Sequence, residues 1–147
     1  MSELSLDKCV RVFQIPGKNW FVLLSSDNQW GLEHEGRFLP FSTPSSCMPL
    51  LPMLVWSHSE MLNLIKTKLQ EAHLVEAFPF DLLIQRALTW GDSYWPLLAV
   101  QWLENGYPHS ESILVDLKHI PEDKRYSQNL RHRVKHLIKK YSMVGHP

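Results

Sequence analysis

The chain has 147 residues, of which 44% are hydrophobic and 20% are charged, and its formal net charge is zero. This length fits one domain with a sizeable core, and this composition excludes a long disordered segment. Cys9 and Cys47 are too few for a disulfide framework, and the N-terminus lacks the apolar stretch of a signal peptide. Four prolines interrupt the nearly uncharged run at 38–57, which excludes a spanning helix there. We therefore expect a cytoplasmic protein.

Four short β-strands are predicted in the strand-rich region, residues 9–41. β-Branched and aromatic residues favour strands, and turn residues such as Pro16-Gly17 and Glu35-Gly36 separate them. The predicted strands cover 10–15, 20–24, 30–34 and 37–41. Because their connections are short, we expect an antiparallel meander, with Pro40 on an edge strand.

A loop is predicted at 42–56, which is rich in serine and proline, and helices follow at 57–141. Ser57 and Glu60 match a capping box, which marks the first helix start. Apolar spacing predicts helices at about 57–73, 79–90, 93–106, 111–118 and 123–141. The predicted fold is one α+β domain over residues 1–147, an N-terminal antiparallel β-meander of about four strands packed against four or five C-terminal helices.

The charge is distributed unevenly along the chain. Residues 1–117 contain 7 Lys or Arg against 13 Asp or Glu, whereas residues 118–147 contain 8 against 2. Arg131, Lys135 and Lys139 lie on the last predicted helix, away from its apolar stripe. This basic face is interpreted as a partner-binding surface; the alternatives are a solvated face, docking on the acidic body, and contact with phosphates.

A second partner-binding surface is predicted on the hairpin that contains Trp30, Glu33 and Glu35. Exposed aromatic residues make good binding anchors because they bury a large area at a low entropy cost. Together with the two glutamates, Trp30 would suit a basic partner.

The sequence offers weak candidates for catalytic or metal chemistry. His132 and His136 have a metal-ligand spacing, but Arg133 replaces the glutamate of zinc proteases and the flanking lysines repel a dication. A cysteine–histidine pair of Cys47 and His58 has no supporting flanking signature. Phosphate-loop and dinucleotide-binding motifs do not occur either. We therefore expect no catalytic residue, no metal and no cofactor.

The segments 94–104, YWPLLAVQWLE, and 127–132, SQNLRH, resemble the C-terminal helices of small bacterial immunity proteins. The resemblance covers about one third of the chain. It implies a small cytoplasmic protein that binds and neutralises a polymorphic toxin delivered by neighbouring cells.

The predicted function is that of a non-catalytic, immunity-type protein-binding module whose partner is a toxin or effector domain. One alternative is a small enzyme or ligand-binding protein with a site assembled from scattered residues such as Cys47, His58, Glu33 and Glu35. Another is a nucleic-acid-associated accessory protein that uses the basic last helix.

Overall fold

The computed structural model describes residues 8–90 and 92–144. The internal contacts divide the chain into two compact units, Met1–Leu82 and Leu83–Pro147. The first unit contains the sheet and the second contains the longest helix, Gln128–Val144. The single domain over 1–147 stays a prediction.

The sheet is a four-stranded antiparallel meander with the order β1-β2-β3-β4. Its strands are β1 Val10–Gln14, β2 Phe21–Leu24, β3 Trp30–His34 and β4 Arg37–Pro40. Gly17 and Gly36 both have a φ of 76° in the tight turns, a conformation that glycine adopts without steric cost. Pro40 lies on the edge strand β4, as predicted. Six α-helices follow the sheet among the described residues, which confirms the α+β fold class.

The loop predicted at 42–56 is wrong over most of its length, because Ser45–Val55 forms a 3₁₀ helix. A 3₁₀ helix has three residues per turn, and the buried side chains of Cys47, Leu50 and Met53 follow that period. Pro49 and Pro52 lie three residues apart, in a half-buried row beside them. The prolines that indicated a loop therefore lie in a helix of three residues per turn, a shorter period than that of an α-helix.

The first helix begins as predicted and ends early. The Ser57 side chain accepts a hydrogen bond from the backbone N–H of Glu60, whose carboxylate accepts one from Ser57 N–H, and together these complete the capping box. The helix ends at Lys66 rather than near residue 73, and a separate short helix follows. The six α-helices are α1 His58–Lys66, α2 Ala72–Glu76, α3 Phe80–Leu88, α4 Tyr94–Glu104, α5 Glu111–His119 and α6 Gln128–Val144.

In the second unit, α6 packs against α4 and α5. Its buried side chains are Leu130, Val134 and Leu137, which recur at helical spacing and lie on one side of the helix. The predicted start of this helix at 123 is wrong, because the helix begins at Gln128. Tyr126 lies in the segment before it, where its hydroxyl donates a 2.7 Å hydrogen bond to the Leu88 carbonyl oxygen. Within the described part of the chain, every helix is too short or too polar to cross a membrane.

Candidate functional site: the exposed face of the last helix

The predicted hairpin surface lacks its aromatic anchor, because Trp30 is buried. Its side chain is 4% exposed, and its ring packs edge-on against Phe78 with ring centroids 5.0 Å apart. The indole Nε1 donates a 3.0 Å hydrogen bond to the Leu74 carbonyl oxygen. Trp30 is therefore a core residue of the first unit and not a binding anchor.

Glu33 and Trp30 also belong to opposite faces of the sheet, since they are three residues apart on one strand. The Glu33 carboxylate accepts two hydrogen bonds from the Arg11 guanidinium, 2.9 Å from Nε and 3.0 Å from Nη2. The same guanidinium lies 4.3 Å above the centre of the Phe21 ring. This bidentate pairing neutralises the charge that was predicted to meet a basic partner.

Glu35 remains exposed in the β3–β4 turn, where its φ is 53° and its carboxylate lies 3.8 Å from His34 Nε2. Of the predicted hairpin residues, it alone presents an exposed acidic side chain to solvent. One such charge does not make a binding surface.

The basic face of α6 does form. Lys135 and Lys139 are exposed, as a surface contact requires, whereas Arg131 is half-buried at the margin of this face. Exposed residues at spacings of three and four extend the face along about 16 Å of helix. We call this set the basic stripe: His132, Lys135, His136, Lys139, Lys140 and Met143.

The other sides of α6 are occupied within the second unit. Leu130, Val134 and Leu137 are buried opposite the basic stripe. Arg133 pairs with Glu104 of α4 through two hydrogen bonds. Tyr141 stacks on the His109 ring at 3.7 Å between centroids, with an interplanar angle of 15°. The helix is thus fixed on its other sides, and the basic stripe faces solvent.

No carboxylate of the described residues lies within ion-pair distance of Lys135, Lys139 or Lys140. The sequence of α6 itself contains no acidic residue. Three such lysines on one ridge create a local positive potential that attracts an anionic surface.

Met143 is the residue of this face that the sequence reasoning missed. Its side chain is 74% exposed, and with His136, Lys139 and Lys140 it lines a shallow depression of about 360 Å³. The signal was present, since Met143 continues the spacing of four residues from Lys139. The basic stripe therefore ends in an apolar contact point beside the charges.

A second feature of the same unit is a polar cavity of about 320 Å³. It is lined by Leu88, Thr89, Asp116, His119, Asp123, Arg125 and Tyr126. Burial raises the pKa of Asp116, and hydrogen bonding with Gln85 and the charge of His119 oppose that rise. Hydrogen bonds from Arg125 lower the pKa of Asp123. Sequence reasoning missed this cavity, although Asp116 and His119 have the spacing of residues that share a helix face.

The cysteine–histidine alternative finds no support in the structure. Cys47 is buried, and burial raises the pKa of its thiol to about 12. The thiolate, which is the nucleophile, is therefore almost absent near neutral pH. His58 packs edge-on against Phe80, with ring centroids 4.7 Å apart, and burial lowers its pKa.

Comparison of the chain with protein-family models, with curated proteins and with solved structures finds no match.

Proposed function

We propose that the chain is a non-catalytic protein-binding module of the cytoplasm, an immunity-type inhibitor that neutralises a bacterial toxin or effector. In this proposal the basic stripe is the docking surface, and the partner contributes an acidic patch. The observation that carries the proposal is the row of exposed cations that lack an ion-pair partner in the described chain. Charge complementarity of this kind accelerates association and selects the partner.

The composition of the basic stripe favours a protein over a nucleic acid as the partner. Three lysines can neutralise few phosphates, and nucleic-acid binding depends steeply on the number of phosphates contacted. Met143, exposed beside Lys139 and Lys140, offers an apolar contact that a protein surface can cover.

The test is capture of the partner by purified wild-type protein and by two variants with equal changes of charge. One variant, Lys135→Glu/Lys139→Glu, reverses charge on the basic stripe. The matched control, Lys118→Glu/Lys124→Glu, reverses two exposed lysines of the same unit outside it. We expect the wild type and the control to capture one stoichiometric protein, and the basic-stripe variant to lose at least about tenfold in association rate.

Cross-linking of lysines to carboxylates would then identify the partner surface. We expect Lys139 to be joined to aspartates or glutamates of the captured protein. Equal capture by both double variants would contradict the proposed surface. Capture of nucleic acid that is released by nuclease would contradict the protein partner.

The polar cavity favours a second candidate function, the binding of a small molecule with hydroxyl or amino groups. Asp116 and His119 face it from α5, and its volume lies at the lower end of the usual range for ligand pockets. Glucosamine is a suitable probe because it carries both kinds of group. If the cavity binds such ligands, titration with glucosamine should shift the backbone amide NMR signals of Asp116 and His119. These shifts should be lost in Asp116→Asn. Their absence in the wild type would exclude this site for such ligands.

A further inference from the structure

The imidazole rings of His132 and His136 meet on the exposed face of α6, where their Nε2 atoms are hydrogen-bonded to each other. Their Nε2 atoms lie 3.1 Å apart, and the rings meet edge to face with an interplanar angle of 81°. Neighbouring imidazole ligands of one metal ion, each about 2.0–2.1 Å from it, have their nitrogens about 3 Å apart at right angles and slightly farther apart in a tetrahedron. The observed separation therefore suits two ligands of one ion, which would take the place of the hydrogen that the two nitrogens share.

The helix holds this pair in place. A spacing of four residues puts both side chains on one side of α6, and the opposite side is anchored by the buried Leu130, Val134 and Leu137. Because the backbone is already ordered, coordination requires only that two exposed side chains be restrained.

We infer that His132 and His136 form a bidentate site for a divalent transition-metal ion. The described residues contain no group of three or more histidine, cysteine or acidic side chains arranged to hold a metal ion. The described residues therefore leave the remaining coordination positions to water or to another molecule. Two nitrogen ligands without a carboxylate select Ni²⁺, Cu²⁺ or Zn²⁺ and disfavour Mg²⁺ and Ca²⁺.

The neighbouring lysines determine how the site responds to salt. Lys135, Lys139 and Lys140 lie on the same face and repel a dication. Added salt screens this repulsion, so metal binding should become tighter as the ionic strength rises. Docking of an acidic partner on the basic stripe should weaken under the same change. The metal site does not depend on that partner. Loss of metal binding and loss of partner docking are distinguishable, because salt should affect the two in opposite directions.

The experiment is calorimetric titration of the untagged full chain with Ni²⁺ alone. We expect one ion per chain and a loss of at least about tenfold in affinity in either His132→Ala or His136→Ala, because each leaves a single ligand. Alanine favours the helix, so these changes should leave α6 folded, which circular dichroism checks. His73→Ala, which removes an exposed histidine of α2, is the matched control and should bind Ni²⁺ as the wild type does.

The salt series supplies a second readout. Between about 0.05 M and about 0.5 M NaCl, the Ni²⁺ affinity of the wild type should rise. Nitrogen-15 spectra should show the two imidazole Nε2 signals broadening together, because Ni²⁺ is paramagnetic. Absence of Ni²⁺ binding up to about 1 mM, or equal binding by wild type and both histidine variants, would overturn the site.

Discussion

The indole of Trp30 donates its hydrogen bond to the Leu74 carbonyl oxygen across 44 residues of sequence, which joins β3 to α2 within the first unit. Both groups are buried, so neither can use water in place of the other. An unsatisfied buried acceptor costs more free energy than the hydrogen bond contributes on average. The contact therefore gives Trp30 a structural role where the sequence indicated a binding role.

Trp30→Phe tests that role. It keeps an aromatic ring, removes the indole N–H and leaves a small void, so the free energy of unfolding should fall by about 1–3 kcal/mol. Urea denaturation followed by circular dichroism measures this change. Trp20→Phe is the control, because Trp20 is only half-buried and packs at the surface against His34. Equal losses in the two variants would contradict a specific role for the Trp30–Leu74 bond.

The accuracy of the sequence predictions follows the range of the interactions involved. The capping box at Ser57 depends on residues three apart, and it was predicted correctly. The four strands and their order were also predicted, because short turns leave few alternative topologies. The position of Trp30 was not, since its burial depends on Phe78 and Leu74, which are distant in sequence.

The candidate site shows the same division. The spacing of His132 and His136 could be read from the sequence, but the 3.1 Å approach of their nitrogens depends on rotamers. The 3₁₀ helix at Ser45–Val55 was not predicted, for a different reason. Its period of three was visible at Cys47, Leu50 and Met53, but the intervening prolines were interpreted as loop signals.

Two methionines of the 3₁₀ helix provide the next prediction. Met53 is fully buried, whereas Met48 is 47% exposed. Met53→Ala should lower the free energy of unfolding by about 2–5 kcal/mol, because it removes buried apolar surface and leaves a cavity. Met48→Ala should stay within about 0.5 kcal/mol of the wild type. Similar effects of both changes in urea denaturation would show that Ser45–Val55 behaves as the loop that the sequence suggested.

The buried thiol of Cys47 predicts unequal cysteine reactivity. With a pKa of about 12, its thiolate fraction at pH 8 is about one in ten thousand, so alkylation by iodoacetamide should be very slow in the folded protein. Cys9 is half-exposed and should react first. Mass spectrometry of the alkylated peptides measures both rates, and denaturant should make them similar. Rapid native labelling of Cys47 would contradict its burial.

The same shift predicts a loss of stability at alkaline pH. The folded state raises the pKa of Cys47 from 9.0 to about 12, so it binds the thiol proton more tightly than the unfolded state does. This contribution to stability is fully present below pH 9 and is lost as the pH rises from 9 to about 12. Cys47→Ala should flatten this part of the pH dependence, as measured by urea denaturation across the window.

Asp116 and Asp123 line one cavity and should respond to pH in opposite directions. Burial raises the pKa of Asp116, so its carboxylate lowers the stability of the folded state as the pH rises through the folded-state pKa. Asp116→Asn should therefore raise the melting temperature at pH 7, and this gain should vanish at a pH below 3.8, the ordinary pKa of the group.

Arg125 lowers the pKa of Asp123, whose carboxylate contributes stability that is present above pH 3.8 and is lost as the pH falls through the folded-state pKa. Asp123→Asn should therefore lower the melting temperature at pH 7, and only modestly because the pair is exposed to solvent. Melting curves of both variants from pH 3 to pH 7 check the two signs. A destabilising Asp116→Asn would mean that the hydrogen bond with Gln85 outweighs the cost of burying the charge.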